Sequence, residues 1–242
     1  MRLAVISDIH ANLEALTAVL AHIASESVDE IICLGDIIGY GASPEECIEL
    51  VGTRCNKILM GNHDHAALGL TDKDYFNTNA KSAIEWTTTR LTKSELQFLA
   101  SLDFTYRREN AVFTHANLAH PKEWGYILDE YQAVATFKKM GSARACFIGH
   151  SHVPMALENS NHIRFLGRFD QFHLNPEKNY IINVGSVGQP RDGINDAAYV
   201  IFDTQENFLR LIRVPYDIKT AQKKILNAGL PEFLAERIQY GR

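Results

Sequence analysis

This 242-residue chain has little that points to a disulfide framework, a membrane or a nucleic-acid surface. Its four cysteines, Cys33, Cys47, Cys55 and Cys146, form no CxxC pair. That disfavours a thiolate zinc site and fits buried free thiols in a reducing compartment. No run approaches the roughly 20 apolar residues of a membrane span, so no membrane partner is expected. The opening stretch, Met1 to Asp8, does not read as a signal peptide, because its apolar run is short and an Asp follows at once. A cytoplasmic location is the expectation. Lys and Arg (24) are outnumbered by Asp and Glu (29), for a net charge of -5. Such a balance argues against gripping nucleic acid by bulk positive charge, though a local site for a phosphorylated ligand is compatible with it. Repeats, low-complexity tracts and flexible linkers are absent, so a single domain over 1–242 is expected. What is present is a hydrophobic fraction of 46%, enough for a substantial core.

Apolar runs alternate with helical patterns through the first 150 residues. Leu3 to Ser7, Glu30 to Leu34, Asn56 to Met60, Ala111 to Thr114 and Ala145 to Ile148 read as strands. Leu13 to Ser25 has helical spacing, with Asn12 as a plausible N-cap. Ser43-Pro44-Glu45-Glu46 and Thr92-Lys93-Ser94-Glu95 read as helix starts, and Asp129 to Met140 as a further helix. The alternation predicts an α/β fold with a largely parallel sheet. Residues 66–103 offer no strand and read as a helical insertion near the site. Short strand candidates follow at 155–157, 163–166, 180–184, 198–202 and 209–214, with closing helices over 218–228 and 232–240. They predict a second, more antiparallel sheet packed on the first.

One pattern recurs along the chain: an apolar run ends and a metal-type residue follows. Asp8 and His10 follow the first strand, Asp36 the second, and Asn62 and His63 the third. His115 follows a later one, and His150 and His152 the next. In open α/β sheets ligands bind beyond the carboxyl ends of the strands, so these residues can converge on one edge. Taken singly, an Asp after a strand is ordinarily a turn residue, a His a solvated one, and Gly-Asn a turn. Here the pattern repeats at every strand end, and five of the chain's ten histidines take part. Carboxylate, imidazole and amide oxygen suit Mn, Fe or Zn. One ion needs about four to six ligands, so seven candidates (these residues without His63) with a lone central Asp suggest two ions.

The ordered blocks Asp8-x-His10, Gly35-Asp36, Gly61-Asn62-His63-Asp64, His115 and Gly149-His150-x-His152 resemble the calcineurin-like metallophosphoesterases. The blocks span residues 4–152. The length, Gly39-Tyr40-Gly41 and Asn183-Val184-Gly185-Ser186 are similar to the small prokaryotic branch of phosphodiesterases and dinucleoside polyphosphate hydrolases. The resemblance implies a four-layer α/β/β/α sandwich, two mixed β-sheets packed face to face and flanked by helices. It implies that Asp8, His10 and His152 hold a first metal, Asn62, His115 and His150 a second, and that Asp36 bridges them. His63 would sit over the substrate and serve in catalysis as a proton donor or as imidazolium, not as a ligand. The reaction implied is hydrolysis of a phosphodiester or phosphoanhydride bond in a small nucleotide by a hydroxide bridging the ions.

Further candidates keep two readings each. Asp64 could orient His63 in catalysis or simply start a helix. Asn12 could touch substrate or only cap; Tyr40 could stack on a base or pack. His65 could contact substrate or be merely exposed. Arg191, in the Gly-rich Asn183–Asp192 turn, could hold a phosphate or belong to a tight connection. Tyr75, Phe76, Trp86, Trp124 and Tyr126 could line a base pocket or pack in the core, with Trp124-Gly125-Tyr126 the foremost candidate. His22, His120, His162 and His173 lack such context. Two alternatives are a protein-interaction scaffold on the same fold and a nuclease or protein phosphatase of the same family. The intact ligand set speaks against the first, and the acidic balance and the chain's length against the second. No oligomeric state is specified.

Overall fold

A computed structural model of the protein describes residues 1–242, with the side chain of residue 73 set aside. In chain order the elements open with β1 (Arg2–Ile6), α1 (Leu13–Ser25), β2 (Glu30–Cys33), α2 (Pro44–Arg54), β3 (Lys57–Ile58) and α3 (Asn62–Ala67). They continue with α4 (Thr78–Thr88), α5 (Lys93–Ala100), β4 (Thr105–Arg108), β5 (Ala111–Thr114), α6 (Glu130–Lys139) and β6 (Ala145–Ile148). Then come β7 (Met155–Asn159), β8 (Ile163–Gly167), β9 (Gln171–His173), β10 (Asn179–Asn183), β11 (Ala197–Asp203) and β12 (Phe208–Val214). Helices α7 (Ile218–Asn227) and α8 (Glu232–Gln239) close the chain.

Two six-stranded mixed sheets result, in the orders β3-β2-β1-β11-β12-β9 and β4-β5-β6-β10-β7-β8. The sheets do not divide at residue 150, as the sequence pattern suggests. Each is made from both halves of the chain: β11 joins β1 antiparallel, and β10 joins β6 parallel. Two short edge strands, β4 and β9, have no apolar alternation strong enough to read from sequence.

Strand alternation explains the four layers. In β1, Leu3 and Val5 face one way and Ala4 and Ile6 the other. Leu3 and Val5 join Ile32, Phe113, Phe147, Ile182, Val200 and Phe202 between the sheets. There Phe147 stacks on Phe113 and tilts against Phe202, with ring centroids 5.1 and 5.3 Å apart. Ala4 and Ile6 instead meet Leu16, Val19 and Val51 of α1 and α2 on the outer face. On the opposite outside, α6 covers Val112, Cys146, Ile148 and Ile181. Each large aliphatic or aromatic side chain so buried is worth about 1.5–3 kcal/mol.

The helix starts differ in chemistry. Asn12 caps α1 through Ala15 N–H at 3.2 Å, and Thr92 with Glu95 forms the expected capping box. Ser43 precedes Pro44 as expected, yet its side chain makes no capping bond. Residues 66–103 are helical, with a lone bridge from Leu59 to Asp103 beside them. The cysteines are free, and Cys33, Cys47 and Cys146 are buried. Among the described residues no helix is long and apolar enough to cross a membrane.

Candidate metal centre

Strands β1, β2 and β3 run parallel, as do β5, β6 and β10, so their carboxyl ends line up edge to edge. The loops beyond them carry the seven candidate ligands into one buried cluster. The backbone there is strained. Asp8, His10, Asp36, His150 and His152 all take positive φ, between 52° and 65°, a region that side chains other than glycine rarely enter. Glycines permit the close packing: a Cβ on Gly61 would strike the Asp36 carboxylate, and one on Gly149 would strike Ser7 Oγ and Asp8 Oδ2.

Donor atoms converge in three groups: Asp8, His10 and His152; His10, Asp36 and His63; Asp36, His115 and His150. His10 Nδ1 faces the Ile38 carbonyl at 3.1 Å, and His152 Nδ1 faces the Gln189 carbonyl at 2.6 Å. Each Nδ1 therefore carries the proton and each Nε2 a lone pair. Those two Nε2 atoms face each other at 3.0 Å. Two lone pairs at that distance repel, and a cation between them removes the repulsion. Asp8 Oδ1 lies 3.3 Å from His152 Nε2. Asp36 Oδ2 lies 3.6 Å from His10 Nε2 and 3.4 Å from His115 Nε2, so one carboxylate oxygen reaches both sides of the cluster. Asn62 Oδ1 is 3.1 Å from His115 Nε2. His150 Nε2 is buried with no hydrogen-bond partner among the described residues. This donor chemistry fits divalent metal ions.

Electrostatics agree. Burial works to raise both carboxyls, but the neighbouring histidines prevail, with the charged His115 close to both, and Asp8 and Asp36 lie well below the usual carboxylate range. Burial pushes His150 down to about 3 and His63 down to about 4, leaving both rings neutral. His115 goes the other way: burial would lower it, but Asp36 pushes it up to about 9.

Several expected roles look different in three dimensions. Asp64 takes the helix-start position, at N3 of α3, and does not bond His63 Nδ1. Its carboxylate accepts the N–H groups of Asp36 (2.8 Å), Ile37 (3.0 Å), Ile38 (3.3 Å) and Gly61 (3.0 Å), and so pins the loop that presents Asp36. Asn12 caps α1, as its second expected role has it, and its amide is committed at both ends, to Ala15 N–H and to the Gly188 carbonyl at 2.8 Å, which ties α1 to the Gly-rich turn. Tyr40, His63, His65 and Arg191 line a cavity of about 600 Å³ that opens on the centre, together with Asn62 and His150. Tyr75, Phe76, Trp124 and Tyr126 line it too, whereas Trp86 does not. Tyr126 stacks on His150 with centroids 4.1 Å apart. His65 is held by Thr71 Oγ1 at 2.6 Å and meets the Trp124 edge. His63 Nδ1 is buried beside Gly39 without a hydrogen-bond partner among the described residues, and the residue lines the cavity.

Other participants have no individual role readable in the sequence. Thr71, Asn77, Lys122 and Glu123 also line the cavity. Asn183 Nδ2 bonds the Gly149 carbonyl at 2.6 Å and Ser151 Oγ at 2.9 Å, holding the His150–His152 turn in shape. The carbonyls of Ile38 and Gln189, which fix two histidine tautomers, are backbone groups that any residue would supply.

Comparison with known proteins agrees with this geometry. Residues 1–207 match the calcineurin-like phosphoesterase superfamily domain. An uncharacterized protein of Methanocaldococcus jannaschii is 44% identical over 244 residues, covering 99% of this chain and 98% of that one. The crystal structure of a metallophosphoesterase from Sphaerobacter thermophilus is 38% identical with a TM-score of 0.86, covering 100% of this chain and 99% of that one. A hypothetical protein from Pyrococcus horikoshii shares the fold, with a TM-score of 0.81 at 18% identity over 100% of this chain and 98% of that one. With its strand-end Asp, His and Asn residues gathered into one centre, the chain belongs to the calcineurin-like phosphoesterase superfamily.

Proposed function

We propose that the protein hydrolyses phosphodiester or phosphoanhydride bonds in small nucleotides at a centre holding two metal ions. The observation that carries this reading is the His10–His152 pair, two lone pairs aimed at one point and joined through Asp36 to His115. Asp8, His10 and His152 would hold one ion, Asn62, His115 and His150 the other, and Asp36 would serve both. Mn, Fe or Zn suit these donors. When bound, the ions supply Lewis acidity, acidifying water and neutralising charge that develops on phosphoryl oxygens.

The chain's own residues do the rest. Asp8 and Asp36 stay ionised at neutral pH, so the centre is ready to take up cations. His63 is neutral when the cavity holds no anion. An anionic substrate beside it raises its pKa, so that the ring takes up a proton and passes it from Nε2 to the leaving oxygen. Arg191 reaches the same cavity and pairs with phosphate oxygens. Tyr126 and Tyr75, 47% and 87% exposed, offer flat faces at the cavity for a base. Residues 1–242 are read as one domain, with 66–103 as an insertion that shapes the cavity through Phe76 and Ala80. Free cysteines fit a cytoplasmic location.

The test is direct. Purified protein with Mn²⁺ should hydrolyse bis-p-nitrophenyl phosphate, and a chelator should stop it. No turnover with Mn, Fe, Co, Ni or Zn would contradict the reading. Release of ADP or ATP from a dinucleoside tetraphosphate would place the substrate among nucleotides.

A further inference from the structure

The histidines assigned to the two ions are held in place by different means. On the first side, His10 and His152 each tie Nδ1 to a backbone carbonyl, of Ile38 and of Gln189, at 3.1 and 2.6 Å. Such a tie fixes the tautomer and the orientation of a metal-binding imidazole. On the second side the tie is missing. Among the described residues His115 Nδ1 is buried without a hydrogen-bond partner, and so is His150 Nε2. His150 hydrogen-bonds through its backbone N–H, which donates to the Asp8 carboxylate at 3.0 Å, and not through its ring.

What these two rings touch instead is one aromatic segment. Tyr126 lies flat on His150, its centroid 4.1 Å away and its plane 18° from parallel. Trp124 meets His115 edge-on, with centroids 6.0 Å apart and planes at 73°. His115 and His150 meet each other at 5.1 Å, so the four rings form a continuous chain, Trp124–His115–His150–Tyr126. The backbone is built to hold this pose. Trp124 has a φ of 55°, a region that a tryptophan rarely enters. A Cβ on Gly125 would stand 2.8 Å from Nδ2 of Asn117, whose amide is fixed by accepting the N–H groups of Ala119 and His120. Ile127 is buried with Leu118 and Ala133 in the cluster beneath α6, and Leu128 N–H donates to Gln132 Oε1 at 2.7 Å. Tyr126 itself is half-exposed and belongs to none of the buried apolar clusters, so packing of the fold does not account for its placement.

We propose that Tyr126 is a positioning residue for the second ion: by stacking on His150 it holds the ring that no hydrogen bond holds. This rests on the two-ion reading above, and it gives Tyr126 a role in the centre itself, in force before any substrate enters. Two physical effects act together. The flat contact restrains rotation of the His150 ring, so less order has to be imposed when a cation arrives. A cation on His150 also draws electron density out of the imidazole, and the electron-rich face of a phenol ring stabilises the positive charge that results.

The test titrates Mn²⁺ into the metal-free full chain in a calorimeter. No substrate is present, so a ring that only stacks on a base cannot alter the result. The binding event that His115→Ala abolishes belongs to the second position. In Tyr126→Ala that event should weaken by about three-fold or more, the worth of an aromatic pair, while the other is unchanged. Tyr126→Phe keeps the flat face and should bind both ions as the original chain does. Tyr126→Leu fills the space without the flat face, so it should weaken the same event and separates stacking from bulk. A loss smaller than about three-fold in either Tyr126→Ala or Tyr126→Leu would overturn the role, as would an equal loss at both positions or a Tyr126→Phe variant as weak as Tyr126→Ala. An original chain that takes up one ion would sink the two-ion reading, and the proposal with it. Two ions bound alike with and without the Tyr126 ring would sink the proposal alone.

Discussion

The Nε2 atoms of His10 and His152 face each other at 3.0 Å while each Nδ1 is tied to a backbone carbonyl. That arrangement stores repulsion that a cation relieves, so metal binding should stabilise the fold. At metal concentrations about 100 times Kd the gain is about 2.7 kcal/mol. Thermal melts of chelator-treated protein, with and without added Mn²⁺ or Zn²⁺, should show a clear rise in Tm that His152→Ala largely abolishes. Identical melts for the original chain with and without metal would count against the reading.

His63 lines the cavity, and its buried Nδ1 has no hydrogen-bond partner among the described residues. It also falls within one of the donor groups, with His10 and Asp36. The two roles separate by mutation. His63→Ala should keep its metal content and lose turnover by roughly 10²–10⁴, the usual range for a general acid. Metal content lost along with turnover would make His63 a ligand.

Asp64 gathers four backbone N–H groups around the Asp36 loop. Asp64→Asn leaves a single acceptor oxygen for these N–H groups, which should cost about 1–3 kcal/mol of stability. Metal affinity should weaken because Asp36 is no longer fixed, while the pH dependence of kcat, set by His63, keeps its shape. A shifted pH profile would show that Asp64 acts on the His63 ring after all.

Far from the centre, buried Glu158 accepts from Lys178 at 2.9 Å, Arg164 at 3.3 Å and the Tyr180 hydroxyl at 3.3 Å. The Lys178 bond leads in holding its carboxyl below the ordinary value. A lowered folded-state pKa means stability that is present above the unfolded value and lost as pH falls through the folded one. Glu158→Gln should therefore cost about 1 kcal/mol at pH 7, and the difference should shrink as pH drops below about 4. Urea unfolding of both proteins at pH 7 and pH 3 measures it. A gap that widens in acid would reverse the sign.

Much of this centre is legible in the sequence because its ligands sit directly after apolar strands, and parallel strands deliver their ends to one edge. The reason for the split between His150 and His152 is not legible. Two residues apart in an extended segment would point the same way, but both have positive φ, and it is this turn that aims His152 at Asp8 and His150 at the Asp36 side. The helices of 66–103 announce themselves through capping chemistry such as Thr92 with Glu95. The crossing of β10 and β11 into opposite sheets leaves no local trace, because pairing partners lie more than a hundred residues apart for β11 and β1. Asp64 reads from its position as a neighbour of the His63 ring, yet its partners are backbone amides of another loop.

Asp36 is the residue on which a shared centre stands, since its Oδ2 approaches His10 on one side and His115 on the other. Metal content per chain, measured by elemental analysis after gel filtration with Mn²⁺ or Zn²⁺, tests this most directly. The original protein should hold about two ions per chain, and Asp36→Asn should lose affinity at both positions together. A single ion per chain, or an Asp36→Asn variant that binds both ions normally, would contradict a dinuclear centre joined by this carboxylate.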